Sequence, residues 1–442
     1  MTTLGARLRA ARLAAGLTQS DLAGDGISPS FVSRIESDDR QPGTEALRLF
    51  AQRLGVSPDW LRRGTGSAPF VAVRDLRRQA QADLTSGEPA IARERLEGLD
   101  LNTVPVQDRA STAVLLSHAQ ERCGDFEAAR AGLEPLWRDA VAQQRPVDAL
   151  TLARGLLYLD IVSGRSEVAL DVGRTTQRVI AGHEVDPDEK VRLGATMGWA
   201  RLERGDRFSV RVEAFRLHAE AMMSGSDAGR AVALWNLSTV EEALGRASWA
   251  RRYAHDAIAL MPDGPSSRDR DYFRARESYG STLMMGGDSA AAREAVEQFE
   301  IARSGLDIVG GPDDLAELDV HQSRAHLILG QVDAAERWAE SALDRVGLPS
   351  PVDRVRAVLA LADVQLARGR RAAAEAMCRR ARELVDDVAR ARDVSLLLRA
   401  IGDRLLACGR ADLAAAAFSR ALAVAGIRPA PVRPAAEGRR TA

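Results

Sequence analysis

The sequence predicts an all-α protein, with a small N-terminal bundle of five short helices followed by an α-solenoid of about nine helical hairpins. Three observations lead there. Aromatic residues make up only 4% of the chain, while the helix formers alanine, leucine and arginine dominate it. No segment shows the convincing alternation of a half-buried strand. Glycine recurs at Gly87, Gly124, Gly164, Gly205, Gly245, Gly287, Gly330, Gly369 and Gly409, at intervals of 37, 40, 41, 40, 42, 43, 39 and 40 residues. A chain of 442 residues exceeds one compact helical core. Domains are expected at 1–64 and 71–427, with a linker at 65–70 and a Pro/Ala/Arg-rich disordered tail at 428–442.

The first helix is expected from Leu4 to Leu13, where Leu4, Ala6, Leu8, Ala11 and Leu13 share a stripe before Gly16 breaks it. Thr18 caps the second helix, with Asp21 three residues on. Gly24-Asp25-Gly26 is a turn. Ser28 caps a third helix to about Ser37, with Pro29 at its first position, where a missing N–H costs nothing. Thr44 is expected to cap a fourth helix through Leu54, and Ser57-Pro58 opens a fifth.

The span LTQSDLAGDGISPSFVSRIESDDRQP resembles the Cro/repressor-like, or XRE-type, helix-turn-helix family. The resemblance covers about residues 4–64 and rests on Leu17-Thr18-Gln19, Leu22-Ala23 and Val32-Ser33-Arg34-Ile35-Glu36. It implies a third helix in the DNA major groove, with Pro29, Ser30, Ser33 and Arg34 facing base edges. Arg34 suits bidentate pairing with guanine. Gln19 matches a position that holds the phosphate backbone, and Ser28, Ser30 and Arg40 suit phosphate as well. Phe31 is expected as a groove-side wedge or packing residue, and Arg12 with Glu36 as a structural pair. Over residues 1–64, nine arginines against seven acids leave +2, which points to dimeric binding with strong salt dependence.

Five residues beyond the periodic glycines stand Ala92, Ala129, Ala169, Val210, Ala250, Ala292, Ala335, Ala374 and Ala414. Twelve beyond several of the glycines stand Ala257, Ala342, Ala381 and Ala421. Such a unit is two helices joined by a glycine turn, with a small residue where the backbones approach. One hairpin cannot bury its own core, so the units must stack. The pattern resembles tetratricopeptide repeats, most closely at Gly330 to Ala335 with Ala339 and Ala342. The period exceeds the family's, and the extra residues are expected in longer helices or in loops such as Asp263–Arg270 and Ile308–Asp314.

The resemblance implies that the first helix of each unit lines a concave surface. In that register His118, Arg122, Thr151, Tyr158, Arg192, Trp199, Asn236, Thr239, Arg274, Ser278, His321, Arg324 and Arg356 face inward. Arginine, aromatic and amide groups there suit a peptide or an anionic ligand. Asn236 could equally bond a neighbouring helix. An XRE-type domain joined to such repeats resembles the peptide-sensing quorum regulators of Gram-positive bacteria, and actinobacterial regulators with unassigned ligands.

Enzyme chemistry finds no support. His321 and His326 do not share a helical face, and no cysteine completes a zinc set. Asp313-Asp314 with Glu317 reads as a charged helix start. No cofactor or metal is expected. Cys123, Cys378 and Cys408 do not form a disulfide framework, and no apolar run spans a membrane, so a cytoplasmic setting is expected. Lys190 is the only lysine, as GC-rich coding would give.

The expected function is a homodimeric transcription regulator on double-stranded DNA, with a palindromic operator and a peptide or small-molecule effector. The competing expectation is an adaptor whose repeats bind a partner protein. It draws on Asp38 and Asp39, which lie beside the expected phosphate.

Overall fold

The computed structural model describes residues 3–427 except 25, 55, 57, 65–68, 102–103, 225, 262–269, 346–350 and 389–390. The expected tail, residues 65–68 of the linker, Asp25, Ser57 and residues 263–269 of the predicted loop lie outside the described residues. Among the described residues there are twenty-three α-helices and no strand, only an isolated bridge between Gly24 and Ile27.

Five helices form the N-terminal bundle: α1 (Leu4–Ala14), α2 (Gln19–Leu22), α3 (Pro29–Glu36), α4 (Thr44–Leu54) and α5 (Pro58–Arg63). Leu8, Leu22, Val32, Ile35, Phe50 and Leu61 form a core from which water is excluded. Helix α4 begins at Thr44 itself, and the Gly43 carbonyl accepts from Leu47 N–H, so the cap lies one residue earlier than expected. Gly5 marks the closest approach of α1 to α3, since a Cβ there would sit 2.3 Å from the Ile35 carbonyl oxygen.

Nine hairpins follow. They pair α6 (Pro69–Thr85) with α7 (Pro89–Glu97), α8 (Val106–Arg122) with α9 (Phe126–Ala142), and α10 (Pro146–Val162) with α11 (Ser166–Ile180). The next pairs are α12 (Pro187–Glu203) with α13 (Arg207–Ser224), α14 (Asp227–Ala243) with α15 (Ala247–Leu260), and α16 (Arg270–Leu283) with α17 (Ser289–Val309). The last are α18 (Pro312–Ile328) with α19 (Val332–Arg345), α20 (Pro351–Ala367) with α21 (Arg371–Leu384), and α22 (Ala391–Ala407) with α23 (Ala411–Val424).

The periodic glycines all adopt left-handed φ between 67° and 84°, which other residues reach only at a cost. At eight of the nine turns the residue after the glycine donates its N–H to a carbonyl five residues back, closing a Schellman cap. Gly287 is the exception and follows a short 3₁₀ turn, Met284–Gly286. The small residue five positions on is fully buried in every unit: Ala92, Ala129, Ala169, Val210, Ala250, Ala292, Ala335, Ala374 and Ala414. The longer period resolves partly into helix. Ile308 and Val309 end the 21-residue α17 rather than forming a loop, and Arg270 opens α16.

Candidate DNA interface and solenoid channel

The putative reading surface is built from the caps upward. Thr18 and Asp21 form a reciprocal box: Asp21 N–H donates to Thr18 Oγ1 at 3.1 Å, and Thr18 N–H donates to Asp21 Oδ2 at 2.8 Å. Two orphan donors at the start of α2 are thereby satisfied. Phe31 N–H donates to Ser28 Oγ at 3.2 Å, and Pro29 opens α3. Val32 and Ile35 bury the inner face of α3, which leaves Pro29, Ser30, Ser33 and Arg34 exposed together.

What orients α3 is ionic. Arg12 Nε donates to Glu36 Oε1 at 2.6 Å and Nη2 donates to Oε2 at 2.9 Å, with side chains only 9% and 4% exposed. Arg12 Nη1 also donates to the Leu17 carbonyl at 2.8 Å. Burial works against the Glu36 charge, but Arg12 and Gln19 hold its carboxyl below the usual range. Gln19 Nε2 donates to Glu36 Oε2 at 2.8 Å, so its amide nitrogen ties α2 to α3. Phe31 is half-buried with the Arg40 guanidinium 4.9 Å from its ring centre, a cation–π contact.

The acids expected to oppose a phosphate have local work. Asp38 adopts a left-handed φ of 61° and accepts the Gly5 N–H at 2.8 Å, which caps α1. Hydrogen bonds from Thr3 and Gly5 hold its carboxyl below the ordinary value. Asp39 accepts from Ser37 Oγ at 2.5 Å.

The second site is a channel of about 1980 Å³ enclosed by the solenoid. The hairpins wind so tightly that distant units touch. Arg122 on α8 reaches the Ile308 carbonyl at 3.1 Å, and Arg392 on α22 reaches Glu203 on α12 at 3.1 Å. All thirteen inward positions expected from the repeat register line this one channel.

Their chemistry divides. Arg122 is engaged with the Leu84 and Ile308 carbonyls at 2.7 and 3.1 Å, and so joins turns of the superhelix. Tyr158 donates to Glu121 at 3.2 Å and packs 6.0 Å from Trp199. Asn236 donates to the Ala195 carbonyl of α12 at 3.2 Å, and Thr239 to the Trp235 carbonyl at 3.1 Å. Arg192 pairs with Asp271 at 3.2 Å and Arg356 with Glu317 at 2.9 Å. His118 and Arg324 are exposed within the lumen, and Ser278 and Thr151 lie on its wall.

Inward register alone missed the acids that knit the wall together. Arg270 pairs with Glu121 at 3.1 Å and with Asp314 at 2.7 Å, and Arg274 reaches Asp314 at 3.0 Å. Burial opposes the charge on Asp314, yet Arg270 and Arg274 hold its pKa down at about 2. Asp314 also accepts the Gly311 N–H at 2.8 Å, in keeping with the charged helix start read from Asp313-Asp314. A signal was present: Glu121 and Glu242 each stand three residues before a turn glycine, and both line the channel. Among the described residues no His/Cys/Asp/Glu group is arranged to hold a metal, and no helix is long and apolar enough to cross a membrane.

Residues 8–61 match the helix-turn-helix family HTH_3. No curated protein matches the chain. A Rap protein solved with Competence and Sporulation Factor is similar in fold, with 10% identity over 95% of this chain and 97% of that one, at a TM-score of 0.51. The Cut9-Hcn1 hetero-tetramer of APC/C shares 12% identity over 94% of this chain and 77% of that one, at a TM-score of 0.50. PlcR of Bacillus thuringiensis, solved with the peptide PapR7 and DNA, shares 12% identity over 64% of this chain and 100% of that one, at a TM-score of 0.40. The chain is an all-α protein that carries an XRE-type helix-turn-helix domain ahead of a solenoid of tetratricopeptide-like hairpins.

Proposed function

We propose that this protein is a sequence-specific transcription regulator that binds operator DNA through α3 as a homodimer, with its solenoid as the sensor of a peptide or small anionic effector. The observation that carries the reading is the exposed row Pro29, Ser30, Ser33 and Arg34 on a helix whose inner face is buried and whose pose is set by Arg12, Glu36 and Gln19. A rigid support of this kind is what base readout needs. Gln19, Ser28 and Arg40 flank that row as phosphate contacts. The capping role of Asp38 removes one of the two acids on which the adaptor reading drew. Domains are assigned as 1–64 for DNA and 71–427 for sensing, in the cytoplasm. The Rap structure holds a ligand in its title complex, and this chain offers a comparable solenoid with an arginine-rich lumen. A palindromic operator with half-sites one helical turn apart is the geometric expectation for a two-fold dimer.

Capture of genomic DNA on the purified chain, followed by gel-shift titration at two salt concentrations, tests the reading. A discrete inverted-repeat site with salt-sensitive binding supports it. Arg34→Ala is expected to lose about 1–3 kcal/mol of discrimination at one base position while the fold persists. Binding and discrimination unchanged by Arg34→Ala would remove that residue from the readout.

A further inference from the structure

The outer face of α13 carries an apolar stripe that no described residue covers. Phe208 is 85% exposed, Val212 57%, Met222 50% and Met223 87%. Spacings of four and three put Phe208, Val212 and Phe215 on one face, and Ala219 and Met222 extend it by the same spacings. The patch continues onto the neighbouring hairpin. Trp249 of α15 stacks on Tyr253 at 5.8 Å, and Tyr253 meets the Phe215 ring edge-on at 6.4 Å. Scattered surface apolar residues need no explanation, but a contiguous aromatic patch marks an interface.

We propose that α13 and α15 form a two-fold dimer interface, with α13 packed antiparallel on α13 of a second copy of this chain. The inference rests on the regulator reading only in that the dimer would be the DNA-binding form. The sequence of α13 is self-complementary about Phe215. An axis there sets Phe208 against Met222 and Val212 against Ala219 of the second copy. It also brings Arg211 beside Glu220 and Arg216 beside Glu213 across the interface. The N-terminal half holds Arg207 and Arg211, and the C-terminal half holds Glu220. Antiparallel pairing therefore joins unlike charges, whereas a parallel pair would face like against like. The area is adequate. At roughly 200 Å² for each full aromatic or similar side chain, the exposed fractions leave on the order of 700 Å² per copy. Two copies bury about twice that, within the size class of stable interfaces.

Sedimentation velocity of the full-length chain over a concentration series tests this. The wild type is expected at twice the chain mass. Phe208→Glu with Val212→Glu is expected to raise the dimer dissociation constant on the order of a hundredfold. Because both side chains are exposed, the thermal melt should not change. Phe215→Cys, placed on the axis, is expected to give an interchain disulfide on oxidation that the wild type does not form. A dimer that survives the double substitution, with no Phe215→Cys cross-link, overturns this interface and leaves the regulator reading standing. A chain that is monomeric both free and on its captured DNA overturns the interface and the dimeric part of that reading together.

Discussion

Removing Glu36 should loosen the reading helix far more than its surface position implies. In Glu36→Ala the Arg12 guanidinium loses two of its three hydrogen bonds, those at 2.6 and 2.9 Å, and keeps only the Leu17 carbonyl at 2.8 Å. It cannot turn to water readily, since its side chain is 9% exposed. Gln19 loses its acceptor as well. Breaking a buried pair from one side costs about 3–5 kcal/mol, and partial exposure of Arg12 places this case near 3. A domain of this size has only a few kcal/mol in reserve. The opened population of the helix-turn-helix domain should rise roughly a hundredfold, at about 1.4 kcal/mol per decade. Hydrogen exchange of peptides from α1 to α3 in the full-length chain measures this without interference from the solenoid. Arg12→Met with Glu36→Leu should recover much of the loss, because both charges then leave together. Exchange changed by less than tenfold in Glu36→Ala would refute the reasoning. So would a double variant as unstable as the two single losses combined.

Other perturbations test the solenoid. Ala335 is fully buried where two helices meet, so Ala335→Leu should overpack the hairpin and lower its stability by about 1–3 kcal/mol, read by thermal melting. Arg270→Met should release Glu121 and Asp314 and weaken the contact between α8 and α16, so the radius of gyration from small-angle scattering should increase. Burial pushes the Glu277 carboxyl up to about 7. His321, 3.2 Å away, is held above its ordinary value against burial by Glu277. Both groups bind protons more tightly folded than unfolded, so their stabilisation is full in acid and is lost as pH rises from 4.5 through about 7. Glu277→Gln should flatten that decline in melting temperature, and a slope that persists unchanged would exclude the pair as its source.

The N-terminal bundle was legible because its signals are local. Thr18 with Asp21, Ser28 with Pro29, and the buried Val32 and Ile35 act within one or two turns of chain. The Arg12–Glu36 pair was legible through resemblance rather than through spacing. The hairpins were legible because a left-handed glycine and a fully buried small residue recur at each unit, and both demands are set by backbone geometry. By its own residues the sequence therefore determined the helices, their pairing and which face of each first helix turns inward.

Only the tertiary structure decided how tightly the solenoid winds. That depends on small rotations between successive hairpins, which accumulate over many units and leave no mark in any single one. Winding brings Glu121 to Arg270 across 149 residues and Glu203 to Arg392 across 189, contacts that no periodic pattern encodes. It closes an expected open groove into a channel and engages Arg122 with backbone carbonyls. It also leaves Phe208 and Met223 on the outside, where exposure is a property of the assembled superhelix rather than of the residue.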